Sequence, residues 1–322
     1  MKILSCVGTL RRGALIIAGA LALQACVSTG GQTPGEVASL PLVVAHRGGT
    51  ADAPENTLEA IARSVANGAD AMWLSVQLSK DGVPVLYRPA DLSALTNASG
   101  PVAAHTAREL ARINAGWNFR SVDGRYPYRE HPAAIPTLRQ ALHSLPSGMP
   151  LMLDMKALPA EPLTKAVAQV LDEENAWSRT LIYSTDAQFQ QAFAGVRGAR
   201  VFESRDATRD RLAKVLLNEG CLGAPTMPVW SGFEMHRTVS VIEKFTLGEG
   251  TSNVNATLWT PATLACFRAR SRVKILAISI NNEDDYRAAA CLGIDAVLVD
   301  SPAQFAKIRA LWGQRAPSCC LR

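Results

Sequence analysis

What most constrains this chain is an alternation. Short runs rich in β-branched and other apolar residues are separated by stretches of helical periodicity, from residue 42 almost to the end. The runs are LVVAHRG (42–48), AMWLSVQL (71–78), PVLYRP (84–89), LMLDMK (151–156), TLIYST (180–185), RVFES (200–204), KILAISIN (274–281) and AVLVDS (296–301). Helices are expected around ENTLEAIARSVANG and over 161–174, 186–195, 206–218, 283–291 and 303–312. Strands that alternate with helices predict βαβ units and a mostly parallel sheet. Eight such runs in 322 residues predict one closed (β/α)8 TIM barrel. Neither GxGxxG nor a P-loop pattern follows the first strand, so nucleotide-binding versions of the architecture lose support.

In a barrel the C-terminal ends of the strands carry the site. His46, Arg47, Ser75, Arg88, Asp154, Lys156, Ser184, Glu203, Asn281 and Asp300 stand at or just beyond those ends. The long connection 96–137 is expected to cap one side of the mouth.

Residues 1–25 read as a leader. Lys2, Arg11 and Arg12 precede an apolar run, Gly13 to Leu23, that is too short to span a bilayer. LQAC resembles the bacterial lipoprotein cleavage box, with Cys26 as the lipid acceptor; the alternative is an ordinary signal peptide. Val27 in the next position implies delivery to the outer membrane, facing the periplasm. Residues 26–40, small and polar with Gly and Pro, read as a flexible tether. The barrel is expected over 41–315 and a short tail over 316–322. Three of the 33 basic residues and none of the 28 acids lie in the leader, so the mature chain carries 30 against 28, a net +2. That balance, with no basic stripe, argues against a nucleic-acid partner. Cys221, Cys266, Cys291, Cys319 and Cys320 remain, without metal-ligand spacing. An oxidising periplasm permits disulfides, and the adjacent Cys319 and Cys320 are expected to be the most reactive.

Several motifs then occur in order. VVAHRGGTADAPENTLEAIARSVANGADA, SKDGVPVLY, IPTLRQAL, LMLDMK and GIDAVLVDSP together resemble the glycerophosphodiester phosphodiesterase family, over about residues 42–310. The resemblance implies a barrel that hydrolyses glycerophosphodiesters to glycerol 3-phosphate and an alcohol. It also implies two histidines and a divalent cation, calcium or magnesium. An anionic diester repels a nucleophile, so positive charge must gather at the phosphate while an acid and a base move protons.

Carried over residue by residue, His46 matches the first catalytic histidine, Arg47 the phosphate-binding arginine and Glu55 the supporting glutamate of PENT. Lys156 matches the phosphate-binding lysine, and Asp154 replaces the glutamate paired with it as a metal ligand. Trp73 and Ser75 stand where the family supplies two further metal ligands, and Arg88 and Pro89 where it supplies the second histidine and its aspartate. With that ligand set the resemblance implies weak or absent cation binding. Two readings follow. In one, Arg88 joins Arg47 and Lys156 on the phosphate, giving a metal-free phosphodiesterase with His46 as base and Asp91, His105 or His131 as candidate acids. In the other, a non-catalytic barrel binds a phosphorylated headgroup or a protein partner, with Trp73 filling the cavity. The simpler structural roles are an Arg88 pair with Glu55 or Asp154, and an Asp154–Lys156 ion pair.

Overall fold

Runs such as VVA and AVLV lack polar alternation, as strands buried on both faces of a parallel sheet do. The structure, a computed structural model, describes residues 39–313 and Cys319. The expected leader, Cys26, the tether up to residue 38 and the tail apart from Cys319 lie outside the described residues. In chain order the elements are β1 (Leu42–His46), α1 (Leu58–Ala66), β2 (Ala71–Leu78), β3 (Pro84–Leu86), α2 (Ala107–Leu110), α3 (Leu138–Ser144), β4 (Leu151–Met155) and α4 (Ala160–Glu173). They continue with β5 (Thr180–Tyr183), α5 (Gln188–Phe193), α6 (Arg205–Leu216), β6 (Val229–Glu234), β7 (His236–Phe245), β8 (Gly248–Thr257), α7 (Pro261–Phe267), β9 (Val273–Ile278), α8 (Glu283–Cys291), β10 (Ala296–Val299) and α9 (Pro302–Trp312). Local chemistry sets several helix starts. Thr57 caps α1 by accepting from the Ala60 amide at 3.2 Å, and reciprocal capping boxes open α3 and α7.

Seven strands pair in parallel in the order β5-β4-β2-β1-β10-β9-β6. Residues 200–203 bridge the remaining gap: the Phe202 amide donates to the Ile182 carbonyl and the Glu203 amide to the Trp230 carbonyl, both at 2.8 Å. The ring therefore has eight staves, as the (β/α)8 expectation requires, with one change of membership. The run 84–89 is not a stave, because β3 pairs antiparallel with the far end of β2, Val76 opposite Leu86. Its place is taken by β6, whose sequence VWSGFE has Ser231 and Gly232 interrupting the apolar run. The stretch 218–258 also contains the long β7–β8 ribbon.

The two-residue period of a strand decides what enters the barrel. Val44, Trp73, Met152, Leu181, Tyr183, Phe202 and Leu298 pack inside it. Val43, Ala45, Leu74, Leu153, Ile182 and Val297 alternate with them and pack outward under the helices. Two residues further along the inward rows come His46, Ser75, Asp154 and Asp300, all at the C-terminal mouth. Cys221 is bonded to Cys266, and Cys291 to Cys319. Cys319, expected to be reactive, is thus cross-linked. The inserted segment borders the mouth as expected: Leu95, Ala115, Asn118 and Phe119 line a cavity of about 240 Å³ together with Thr50, Pro54 and Glu55.

Candidate functional site

The mouth is organised by the turn that leaves β1. Arg47 has φ +50°, Gly48 φ +82° and Gly49 φ +93°, the left-handed region that side chains other than glycine disfavour. Arg47 is held there by the Asn56 amide, which donates to its carbonyl at 2.7 Å. A Cβ on Gly49 would lie 2.8 Å from Ser64 Oγ and 3.0 Å from Pro302 Cδ, so the turn sits directly on α1 and α9. A non-glycine residue held in this conformation costs on the order of 1 kcal/mol or more, strain that tends to be stored at functional sites.

His46 Nδ1 lies 2.6 Å from Asp300 Oδ1. Asp300 also accepts from Thr50 Oγ1 at 3.0 Å and Asn281 Nδ2 at 2.7 Å. The hydrogen bond from His46, supported by those from Thr50 and Asn281, holds the Asp300 carboxyl below its usual range against the opposing effect of burial. A carboxylate on Nδ1 fixes the tautomer in which Nε2 carries the lone pair. Nε2 makes no hydrogen bond among the described residues, and the side chain is 23% exposed. This is the geometry of a histidine ready to take a proton.

Beside it lie two ion pairs. Arg47 Nη1 donates to Glu55 Oε2 at 2.5 Å, and Lys156 Nζ is 2.9 Å from Asp154 Oδ1. The expected Asp154–Lys156 pair is therefore formed. Burial raises the Asp154 pKa, and Lys156, Arg47 and His46 pull it back. Arg47 Nε, Trp73 Nε1, Glu55 Oε1 and Asn56 Nδ2 are buried without hydrogen-bond partners. Asp154 Oδ1 is a fifth such atom, because its contact with Lys156 has the distance of an ion pair but not the alignment of a hydrogen bond. Five of the nine orphaned buried side-chain atoms among the described residues thus belong to this one cluster. Native interiors satisfy nearly all such groups, so their concentration here marks a polar site.

Trp73 fills the interior below. It is 3% exposed, its ring centroid lies 4.7 Å from that of Tyr183 and 6.3 Å from that of Phe202. Ser75 is buried, with Oγ 3.5 Å from Asp154 Oδ2. The residues do not fit a calcium or magnesium ion. Glu55 and Asp154 each already face a cationic side chain, Ser75 adds one neutral oxygen, and an indole ligates no hard cation; such ions want six or more oxygens. Among the described residues no group of three or more His, Cys, Asp or Glu is disposed to hold a metal.

Arg88 follows Tyr87, whose amide donates to the Ser75 carbonyl at 3.1 Å, and so stands at the rim. It is exposed and makes no ion pair among the described residues; Glu55 and Asp154, its expected partners, are held by Arg47 and Lys156. The candidate acids are placed less well. Asp91 caps a short turn through Ser93 and Gly100, and His105 contacts the Ser99 carbonyl on the inserted segment. His131 lines an outer cavity with Arg63 and Tyr128. Ser184 and Glu203 are structural: Ser184 donates to the Met155 carbonyl, and Glu203 is gripped by Arg211.

Sequence reasoning missed Tyr183, Arg205 and Glu234. Arg205 donates to both carboxylate oxygens of Glu234, at 2.6 and 2.7 Å, and to Tyr183 Oη at 3.2 Å. Burial raises the Tyr183 pKa, and Arg205 pulls it back. The parity of β5 and its short length were a signal for Tyr183; nothing local marked Arg205.

A family model described as the glycerophosphoryl diester phosphodiesterase family matches residues 46–304. Protein Rv2277c of Mycobacterium tuberculosis is 51% identical over 264 residues, 81% of this chain and 87% of that protein. The crystal structure of its glycerophosphoryl diester phosphodiesterase domain superposes with a TM-score of 0.78 at 49% identity, covering 84% of this chain and 99% of that one. An Oleispira antarctica phosphodiesterase, solved with the product sn-glycerol-3-phosphate, shares the fold with a TM-score of 0.62 at 23% identity, over 84% of this chain and 97% of that one.

Proposed function

Since the chain belongs to the glycerophosphoryl diester phosphodiesterase family, we propose that it hydrolyses glycerophosphodiesters without a resident divalent ion. The observation that carries this reading is His46 held through Nδ1 by Asp300 at 2.6 Å. In this reading Nε2 takes a proton from the attacking water as its oxygen adds to phosphorus, the P–O bond to the alcohol breaks, and the protonated His46 returns that proton to the departing alcohol oxygen. Arg47 and Lys156 shift from Glu55 and Asp154 towards the phosphate oxygens, and Arg88 at the rim adds a third cation. A guanidinium fork suits two phosphate oxygens at once, which gives Arg47 its role. Family membership generally brings a divalent cation, but the donor set here does not suit one. The glycerol 3-phosphate bound by the Oleispira antarctica relative supports a glycerophosphate as the retained half of the substrate.

The test is release of glycerol 3-phosphate from glycerophosphocholine in calcium, magnesium and EDTA, beside His46→Ala. Turnover that persists in EDTA and vanishes in the variant is the expected result. Turnover that needs added metal would overturn the metal-free part. A second reading, a non-catalytic barrel that binds a phosphorylated headgroup, is favoured by the burial of Trp73 where family sequences supply a ligand. Headgroup binding by calorimetry with no turnover on a panel of diesters would establish it instead.

The same proposal places the protein in the bacterial envelope as a lipoprotein acylated at Cys26. Its support is the leader pattern together with two disulfides, which persist in oxidising compartments. Incorporation of labelled palmitate that Cys26→Ser fails to abolish would sink it.

A further inference from the structure

Beyond the reading of the mouth, the geometry points to the β7–β8 ribbon as a surface that docks on a phospholipid bilayer. The ribbon leaves the C-terminal end of β6, the mouth end of the barrel, and pairs from His236 opposite Thr257 to Phe245 opposite Gly248. Strand periodicity gives it two unlike faces. One carries Val239 opposite Val254, then Val241 and Phe245, at 40, 50, 45 and 62% exposure, with the exposed Arg237 and Glu243 in the same row. Phe245 lies across Gly250, where a Cβ would be 2.8 Å from its ring. The other face is mostly a polar ladder: Thr238 donates to Asn255 at 2.7 Å, Ser240 to Asn253 at 2.8 Å, and Lys244 pairs loosely with Glu249. Ile242 interrupts it, 59% exposed. At the tip, Leu247 is 99% exposed.

Three observations favour a bilayer over a second copy of the chain. The first is area: two ten-residue strands present about 34 Å by 10 Å, roughly 340 Å² of one face, less than half of the ~800 Å² per partner that a stable pairing needs. A bilayer interface has no such minimum, and an amphipathic element with an apolar tip can insert shallowly. The second is charge. Arg237 and Lys244 are matched by Glu243 and Glu249, so the ribbon is electrically neutral and the contact would rest on its apolar side chains, with Arg237 and Glu243 left at the level of the headgroups. The third is reach. With the lipid attachment proposed at Cys26, the chain to Ser39 spans at most about 47 Å when fully extended, which keeps the domain within that distance of a membrane. Docking through the ribbon would turn the mouth towards the headgroups.

The test uses the expected mature chain without its lipid-bearing cysteine, residues 27–322, floated with vesicles of phosphatidylethanolamine and phosphatidylglycerol. Phe245→Ser/Leu247→Ser, and separately Val239→Thr/Val254→Thr, change only exposed side chains, and circular dichroism checks that each variant is folded. The unsubstituted chain should float, and the tip variant's floated fraction should fall about tenfold or more, as the loss of two apolar contacts implies. Turnover of glycerophosphocholine without vesicles should be unchanged, so a failure of the active-site reading shows there and not in flotation. Equal flotation of chain and variants, no flotation at all, or a dimer that the substitutions dissolve would each overturn the inference.

Discussion

Replacing Trp73 by alanine tests whether this buried indole is a structural element of the barrel. Trp73 is 3% exposed and contacts the rings of Tyr183 and Phe202, so truncation leaves a cavity with aromatic walls. Large aromatic-to-alanine changes in cores cost about 3–5 kcal/mol. The indole N–H has no partner, however, and removing an unsatisfied buried donor returns about 1–3 kcal/mol. The net expectation is a loss of about 2 kcal/mol, which for a domain of this size lowers Tm by roughly 4–8 °C. Trp73→Phe keeps a ring against Tyr183 and deletes the orphaned donor, so its stability should stay within about 1 kcal/mol of the parent. The assay is urea denaturation followed by far-UV circular dichroism, with thermal melts in parallel. A Trp73→Ala loss below about 1 kcal/mol would refute the reasoning, because a side chain that costs so little to remove holds nothing together. A Trp73→Phe variant as damaged as Trp73→Ala would show instead that the indole N–H has a partner.

Asp300→Asn should lower turnover about 10²-fold, the lower end of what a positioned proton-transfer group contributes, by releasing the His46 tautomer. Because Asp300 has a depressed pKa in the fold, its contribution to stability is present above the ordinary carboxylate value of about 3.9 and disappears as pH falls through the depressed one. Melts of parent and Asp300→Asn should therefore differ at neutral pH and converge in acid; a constant gap would contradict this. Trp73→Glu with Ser75→Asp adds two carboxylates beside Asp154 and should confer a calcium-dependent rise in stability of about 2.7 kcal/mol at a hundredfold excess over Kd. A double variant indifferent to calcium by calorimetry would mean that the barrel lacks room for the ion. Arg88→Ala should raise KM several-fold at nearly unchanged kcat if this exposed cation only gathers substrate; an unaltered KM would remove it from the site.

The (β/α)8 barrel was legible because it is written in local pattern: continuous apolar runs for strands, helical periods between them, and turn chemistry such as HRGG and PENT. One stave was misjudged, since β3 has the composition of a barrel strand while β6 carries Ser231 and Gly232. Composition cannot distinguish a strand that joins the ring from one that folds back on the end of its neighbour. The inward row of candidate residues was likewise readable from parity. Partners were not. Asp300 lies 254 residues from His46 and reaches it only because β10 closes beside β1. Arg205 meets Glu234 and Tyr183 only because three staves converge there. By itself, then, the sequence determined the barrel and the row of His46, Arg47, Ser75, Asp154 and Lys156 at its strand ends. The tertiary structure alone decided which carboxylate holds His46, which cations Glu55 and Asp154 have taken, that Trp73 belongs to an aromatic stack, and that a two-stranded ribbon with exposed apolar side chains leaves the mouth end of β6. The reason is that strand period fixes the side on which a residue points, whereas its neighbours are fixed only when distant segments are brought into register by closure of the sheet.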